Sequence, residues 1–181
     1  MTYFVPPAEP LTDGMVTLRL PAAEAGDAGT VISYVEEGQL DGGWLPEIPL
    51  VPAGQAVRDW LDPSGPTLVV TIPDEQRFIG IVGFCDRGGG TVEVIYGIAP
   101  RWRGRGLASR AVRLGALWAA SLPGVTTVEL RIDQDMKACQ HVAVNAGFAR
   151  AGTVTQFVPG TGETFEDLRY VLDQPSATAK S

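Results

Sequence analysis

The chain is poor in the side chains that build metal sites and disulfide frameworks. Its 181 residues include one histidine, His141, and two cysteines, Cys85 and Cys139. Two cysteines are too few for a disulfide framework, and neither lies at the spacing of a metal-ligand set. The sequence therefore predicts a protein that holds no metal ion.

Long apolar runs and an excess of basic residues are also absent. No stretch has the length of a membrane span, and the N-terminus lacks a basic region followed by an apolar core, which argues against a signal peptide. The chain has 14 Lys and Arg against 21 Asp and Glu, a net charge of −7. This balance disfavours nucleic acid as the main ligand and suits a cationic substrate such as an amine. We expect a cytoplasmic protein with neither a nucleic-acid nor a membrane partner.

The hydrophobic pattern predicts one domain of alternating strands and helices. We expect an extended, proline-rich arm over residues 1–12, a single domain over 13–172 and a disordered tail over 173–181. Strands are predicted over 15–20, 67–72, 78–85, 92–98, 126–132, 148–157 and 165–172, and helices over 22–37, 53–61, 107–120 and 135–146. Short turns favour antiparallel neighbours, and the third helix is long enough to connect two parallel strands. The predicted fold class is therefore α/β, a mixed, mostly antiparallel sheet with helices on both faces.

A turn between a strand and a helix carries the most specific chemical signal. It has the spacing Arg101-x-x-Gly104-x-Gly106 and is followed by the helix that starts at Leu107. A glycine-rich turn that opens a helix presents several backbone N–H groups to one point, where the helix dipole adds positive charge. No Gly-Lys-Ser/Thr follows, so the turn suits a pyrophosphate without the lysine of a nucleoside triphosphatase.

This turn, with the segments on either side, resembles the GNAT superfamily of acyl-CoA-dependent N-acyltransferases, and its RimJ/RimL-like branch in particular. Residues 93–100 look like the family's central strand, 101–108 match its pyrophosphate loop, and 133–139 with 146–148 resemble its next strand-to-helix segment. The resemblance implies a central twisted sheet in which the strand carrying Ile98 splays from its neighbour at a bulge. It further implies that the pantetheine arm of acetyl-CoA, the co-substrate, fills the gap, and that an amine is the acceptor. A homodimer is also expected.

The resemblance assigns the cofactor-binding residues. They are Ile98, Ala99, Arg101, Arg103, Gly104, Arg105, Gly106, Leu107, Ala108, Met136 and Cys139. The backbone amides from Arg103 to Ala108 would hold the pyrophosphate, and the arginines would add charge-assisted contacts. Two positions depart from the family, which usually has asparagine in place of Met136 and serine in place of Cys139. Methionine cannot supply the expected hydrogen bond to pantetheine.

Three side chains are candidates for the chemistry. Glu93 is the candidate general base; the alternative is a strand-surface glutamate paired with an arginine. Cys139 could protonate the departing thiolate, since the two thiols have similar pKa values; the alternative is a small buried hydrophobe. Tyr96 is catalytic or an ordinary core tyrosine, and lies on the face opposite Glu93 if the strand is regular.

The acceptor pocket is expected, from the family's usual arrangement, to form from Trp44, Leu45 and Phe157. The leading function is acetyl transfer to a primary amine, either a protein N-terminus or a small molecule. Transfer of a longer acyl group such as succinyl, a CoA-binding sensor without catalysis, and a nucleotide-binding module remain as alternatives. Met136 and Cys139 favour the sensor.

Overall fold

The computed structural model describes residues 4–22, 26–27, 66–73, 75–157 and 163–173 of the chain. The regular elements within these ranges are β1 (Leu11–Thr12), β2 (Thr17–Arg19), β3 (Thr67–Ile72), β4 (Glu75–Gly88), β5 (Thr91–Ile98), a 3-10 turn (Pro100–Trp102), α1 (Leu107–Ser121), β6 (Thr127–Asp133), α2 (Lys137–Asn145), β7 (Phe148–Phe157) and β8 (Thr164–Leu172). No helix in the described ranges could cross a membrane. None of the His, Cys, Asp and Glu side chains there group into a metal-ion site.

All eight strands form one sheet in the order β1-β2-β3-β4-β5-β6-β8-β7. Neighbouring strands are antiparallel except for β5 and β6, which are parallel. The connection between these two includes α1, because parallel strands need a long crossover. The parallel pair therefore divides the sheet into an N-terminal and a C-terminal part.

The parallel pair separates along its length. Backbone pairing between β5 and β6 runs from Thr91↔Thr127 to Glu93↔Glu129 and does not continue, although both strands do. Over the same residues β5 stays paired with β4, from Asp86↔Val92 to Gly80↔Ile98. The two strands thus form a V with its vertex at Glu93 and Glu129.

Helices α1 and α2 pack on one side of the sheet, which we call the helix face. Gly115 of α1 permits this close approach, since a Cβ there would lie 2.8 Å from Val82 Cγ1 and 3.1 Å from Phe84 Cζ. The Phe84 ring also meets Trp118 of α1, with ring centroids 4.7 Å apart. Side chains alternate along a strand, so Val82, Phe84, Val94 and Tyr96 share this face.

The predicted fold class and the strands are confirmed. The sheet is mixed and mostly antiparallel, and the predicted strands 67–72 and 148–157 coincide with β3 and β7. Helix 107–120 is also confirmed. Helix 135–146 is shorter at both ends: α2 begins at Lys137 because Met136 takes a non-helical N-cap conformation, and it ends at Asn145. Both described helices lie on the helix face; the helices expected over 22–37 and 53–61 fall almost wholly outside the described residues, as do 174–181 of the tail.

Two details differ from expectation. The segment predicted as an extended arm includes β1, which pairs with β2, and its Phe4 is buried in the core. The bulge expected in the strand that carries Ile98 is absent between Val92 and Ile98, where β5 pairs with β4 in regular register. The V therefore opens because β6 leaves β5, and the regular strand places Glu93 and Tyr96 on opposite faces.

Candidate functional site

The glycine-rich turn is shaped as an anion site. Gly104 and Gly106 have φ of +74° and +73°, a region that favours glycine, and Gly106 is the N-cap of α1. Within the described chain, the backbone N–H groups of residues 104–108 have no hydrogen-bond acceptor. These donors, at the positive end of the helix dipole, suit a phosphate group.

The arginines of the turn play different roles. Arg103 connects the turn to the end of β5. Its backbone N–H donates to the Pro100 carbonyl at 3.1 Å, and its Nε donates to the Ile98 carbonyl at 2.9 Å. Arg101 and Arg105 stack on the ring of Trp102, with guanidinium carbons 5.5 and 5.0 Å from its centroid. The stacking holds two cationic groups beside the glycines, whereas the Arg103 amide, expected to bind pyrophosphate, is already occupied.

A groove of about 560 Å³ continues from the turn along α1 towards the end of α2. Gly106, Ser109, Arg110 and Arg113 line its polar part. Arg113 also donates to the Ala146 carbonyl at 3.3 Å, which ties α1 to the C-terminus of α2. The groove is therefore cationic and directly continuous with the anion site.

The opening of the V brings backbone groups of β5 to the surface of the gap. Ala99 donates its N–H to the Ile79 carbonyl at 2.9 Å, so the N–H of Ile98 points away from β4 and towards the gap. The Ile98 carbonyl is occupied by Arg103. Of the predicted backbone contacts, the Ile98 N–H has no partner among the described residues, whereas the Ala99 N–H is bonded to Ile79.

Tyr96 and Cys139 meet on the helix face of the gap. The Tyr96 hydroxyl is buried and has no hydrogen-bond partner in the described chain. The Cys139 thiol, from the first turn of α2, lies beside it; burial and this thiol raise the pKa of Tyr96. Tyr96 therefore stays protonated, and its hydroxyl, which has only the Cys139 sulfur nearby as a weak acceptor, can donate a hydrogen bond to a group in the gap.

Met136 is half exposed at the N-cap of α2 and makes no side-chain capping bond. The loop before it is held by other residues: Lys137 Nζ and Gln140 Nε2 both donate to the Gln134 carbonyl, at 2.7 and 2.9 Å. The departure from the family at this position thus leaves a free thioether where a hydrogen-bonding amide was expected.

Glu93 lies at the vertex of the V on the opposite side of the sheet. Its carboxylate is buried and accepts a hydrogen bond from Arg87 Nε at 2.5 Å, while Arg131 Nε lies 3.6 Å away. Burial raises the pKa of Glu93, and the two arginines oppose that rise. The Glu93 carboxylate is thus paired with arginine, as the alternative to a general base proposes. Its raised pKa nevertheless makes it a better base than an ordinary glutamate.

The face that carries Glu93, which we call the charged face, holds a continuous polar network. Arg131 Nε donates to Glu129 Oε1 at 2.9 Å, and Arg131 Nη1 donates to Gln156 Oε1 at 3.3 Å. Arg169 donates to the other oxygen of Glu129, at 2.6 Å, and Gln156 donates to Asp167 at 3.0 Å. Side chains of five adjacent strands are joined in this way.

The predicted acceptor residues are only partly described. Trp44 and Leu45 lie outside the described residues. Phe157 is 64% exposed, and alternation from Gln156 places it on the helix face, away from Glu93. Phe165, which pairs with Gln156, is the exposed aromatic on the charged face.

Sequence reasoning missed Arg87, Arg131 and Gln156. The alternation of β6 already placed Glu129 and Arg131 on one face, but only the strand order reveals that this face adjoins Glu93 and Gln156.

A family model described as an acetyltransferase (GNAT) domain matches residues 16–149. No curated protein matches the chain.

Solved structures share the fold at low sequence identity. A proposed ribosomal-protein-serine acetyltransferase from Vibrio cholerae has a TM-score of 0.74 at 18% identity, covering 93% of this chain and 99% of its own. RimL, a ribosomal L7/L12 alpha-N-protein acetyltransferase in complex with coenzyme A, has 0.69 at 12%, covering 90% and 97%. A chimera of the Vibrio cholerae spermidine N-acetyltransferase SpeG and hSSAT has 0.63 at 16%, covering 87% and 95%.

Proposed function

The chain belongs to the GNAT acetyltransferase family, and on that premise we propose that it transfers an acetyl group from acetyl-CoA to a primary amine by direct attack in a ternary complex. The observation that carries the proposal is the V between β5 and β6, whose open end lies beside an anion site with free backbone N–H groups. The acceptor is a protein N-terminus or a small-molecule amine, as in RimL and SpeG.

The helix face would hold the cofactor. The amides of Gly104, Arg105, Gly106, Leu107 and Ala108 fit the pyrophosphate, and the stacked Arg101 and Arg105 add charge. The Ile98 N–H faces the gap and suits a carbonyl of the pantetheine arm or the thioester, as a small oxyanion hole. Acetyl-CoA supplies the activated acyl group when bound, and alignment of the two substrates would account for much of the rate.

Glu93 would act as the general base. An alkylammonium has a reference pKa near ~10, so its proton needs an acceptor before the nitrogen can attack. Glu93 lies at the vertex of the V and its pKa is raised by burial, which makes the carboxylate more basic. The proton would reach Glu93 directly or through one water.

Tyr96 and Cys139 would serve the opposite end of the reaction. As the new C–N bond forms and the C–S bond breaks, the electron pair moves to sulfur, which then needs a proton. The Tyr96 hydroxyl has no hydrogen-bond partner in the described chain and can donate a hydrogen bond to the departing sulfur, although its raised pKa makes it a weak acid. The Cys139 thiol beside it would give the proton and regain one from solvent. Base and acid would therefore act from opposite sides of β5.

Calorimetric titration with acetyl-CoA, CoA, succinyl-CoA and ATP tests the cofactor site. We expect micromolar binding of acetyl-CoA, no binding of ATP, and a loss of about 100-fold or more in Gly104→Asp, which puts a negative charge into the anion site. Gly104→Ala is the matched control. Its Cβ would meet nothing within 4 Å and it carries only the cost of a positive φ, so its loss should stay near 10-fold.

Two results would contradict the proposal: no binding of any CoA species, or equal losses in the Asp and Ala variants. A CoA-binding protein without turnover is the second candidate, favoured by Met136, whose exposed thioether offers no hydrogen-bond donor. Binding of acetyl-CoA without acetylation of any amine in a broad screen would support that candidate. The acyl donor would follow from the relative affinities for acetyl-CoA and succinyl-CoA. A cytoplasmic location and a homodimer stay predictions.

A further inference from the structure

Asp167 differs from the other buried carboxylates of the described chain. Each of the other three is bonded to arginine: Asp27 to Arg19, Glu93 to Arg87, and Glu129 to Arg131 and Arg169. Asp167 is only 6% exposed, yet its hydrogen-bond partner is the neutral amide of Gln156, at 3.0 Å, and no cationic side chain of the described chain lies within ion-pair distance.

A buried carboxylate without a cation is costly. Removing a charge from water is compensated in proteins by pairing with an opposite charge, and a neutral amide compensates less than a guanidinium. Gln156 is also not free to turn away, because Arg131 holds its carbonyl oxygen and so directs the amide NH₂ at Asp167. The fold therefore keeps an anion in place with no cation of its own beside it.

The position of Asp167 connects it to the gap. Asp167 pairs with Asp133 at the end of β6, and Glu129 pairs with Val171, four residues further along β8. At about 3.3 Å per residue, Asp167 lies about 13 Å beyond the vertex, towards the open end of the V. The Asp167 side chain lies on the charged face with Arg131 and Glu93. Asp167 pairs with Asp133, which is two residues from Arg131 and four from Glu129, and Glu129 pairs with Glu93. Side chains at even spacing along a strand share a face.

An aromatic ring lies next to it on the same face. Phe165, two residues before Asp167, is 47% exposed. An anion beside an accessible aromatic ring fits an organic cation better than a metal ion, because the ring packs against alkyl carbon and also attracts positive charge.

We propose that Asp167, with Gln156 and Phe165, binds a second cationic group of the acceptor, so that the preferred acceptors are amines with two positive charges joined by an alkyl chain. The proposal rests on the proposed acetyl transfer, since Glu93 receives the proton of the reacting amine while Asp167 pairs with the other one. Asp167 would then determine specificity without touching the reacting atoms.

The test compares α,ω-diamines of four to eight carbons with monoamines of equal length, in the wild type and in Asp167→Asn. Asparagine keeps an oxygen for Gln156 and removes only the charge. Loss of one charge-assisted contact predicts a KM about 10- to 100-fold higher for diamines, a kcat within about twofold, and little change for monoamines. Asp167→Glu should restore part of the affinity. Glu166→Gln, an exposed neighbour on the other face, is the control and should leave both substrates unchanged.

Equal effects of Asp167→Asn on diamines and monoamines would overturn the inference and leave Asp167 a structural residue. Binding is measured independently of turnover, by titrating the CoA-loaded protein with the best diamine. If CoA binds and no diamine binds the wild type, the inference fails alone. If CoA itself does not bind, the proposed function fails. The inference is then decided by titrating the protein without CoA: a diamine should bind the wild type and bind Asp167→Asn about 10- to 100-fold more weakly.

Discussion

The two faces of the sheet bury different chemistry around the same gap. The helix face holds aliphatic and aromatic side chains under α1 and α2, and its polar candidates, Tyr96 and the glycine-rich turn, have unsatisfied donors. The charged face holds carboxylates and arginines whose hydrogen bonds are mostly made inside the protein. The helix face therefore has hydrogen-bond donors available to a ligand. On the charged face most polar groups are bonded to one another, and Asp167, which has no cationic partner in the described chain, is the exception.

This difference fits two substrates entering from opposite sides. A cofactor rich in phosphate and amide groups needs backbone N–H donors and a narrow apolar gap. An amine needs anions, and a buried carboxylate is stabilised best by cations that also hold it in position. The arginines of the charged face therefore hold the Glu93 and Glu129 carboxylates in position through ion pairs.

Substituting Glu93 is the strongest way to break the comparison, since it should abolish chemistry from the charged face and leave the helix face intact. We expect Glu93→Gln to lower kcat by about 100-fold or more, as loss of a general base does, with unchanged affinity for acetyl-CoA. In the wild type, burial raises the pKa of Glu93, so kcat/KM should fall as the pH is lowered through a value above that of an ordinary glutamate. Glu93→Gln should remove this acid limb.

Two further variants distinguish a general-base role of Glu93 from a purely structural role in the ion-pair network. Glu129→Gln changes a residue of the same type and burial in the same network, and should lower the melting temperature but keep the acid limb. The limb should move to lower pH, because the charge of Glu129 raises the pKa of Glu93. Arg87→Gln removes a cation that lowers the pKa of Glu93, so the acid limb should move to higher pH. If Glu93→Gln and Glu129→Gln had the same pH profile, Glu93 would be only a member of the network.

The helix face was largely predictable from the sequence, and the charged face was not. The turn from Arg101 to Ala108 is contiguous, and its glycines, its helix start and its preceding strand are all local signals. The network on the charged face joins Arg131 to Gln156 and Arg169 to Glu129, 25 and 40 residues apart. Such contacts depend on strand order and register, which hydrophobic alternation does not determine.

The absence of a bulge in β5 is a second feature that the sequence does not predict. Whether Tyr96 shares a face with Glu93 depended on the regularity of β5, which one sequence does not reveal. The structure settles the phase through pairing with β4.

Tyr96 offers a smaller perturbation, confined to the helix face. We expect Tyr96→Phe to lower kcat by about 10-fold, since the Cys139 thiol remains as a donor, and to leave the KM of the amine unchanged. Removing a buried hydroxyl without a partner should also leave the melting temperature unchanged or slightly higher. The loss of kcat is diagnostic, because a tyrosine that only packs in the core would keep its activity when its partnerless hydroxyl is removed.

Cys139→Ala is the companion variant and should cost less than Tyr96→Phe when made alone. The double variant should lose more than the sum of the two in free energy, because either donor can serve when the other is absent. Strict additivity would assign the two groups separate roles, and no loss in either variant would leave proton delivery to solvent.

The smallest expected effect concerns Asp13, the one acidic side chain of the described residues that lines the groove beside α1. Asp13 binds Arg110 at 2.8 Å, and both are partly exposed, so the pair contributes little to stability. Asp13→Asn should release Arg110 towards the bound phosphates and remove a negative charge from the groove. We expect acetyl-CoA to bind about two- to fivefold more tightly at low salt, with the gain lost near ~1 M salt as the charges are screened.

The same substitution should change stability only slightly at neutral pH. Asp13 accepts backbone hydrogen bonds from Met15 and Val16, both at 2.9 Å, and asparagine keeps an oxygen for them. Burial raises the pKa of Asp13, but these bonds and Arg110 outweigh it, so the pKa lies below its ordinary value. The contribution of ionised Asp13 to the free energy of unfolding is therefore complete above the ordinary aspartate pKa. It disappears as the pH falls through the pKa of Asp13 in the folded protein. Glu9→Gln makes the same charge change outside the groove; an equal gain in acetyl-CoA affinity there would mean that net charge alone is responsible, and that Arg110 is not held back by Asp13.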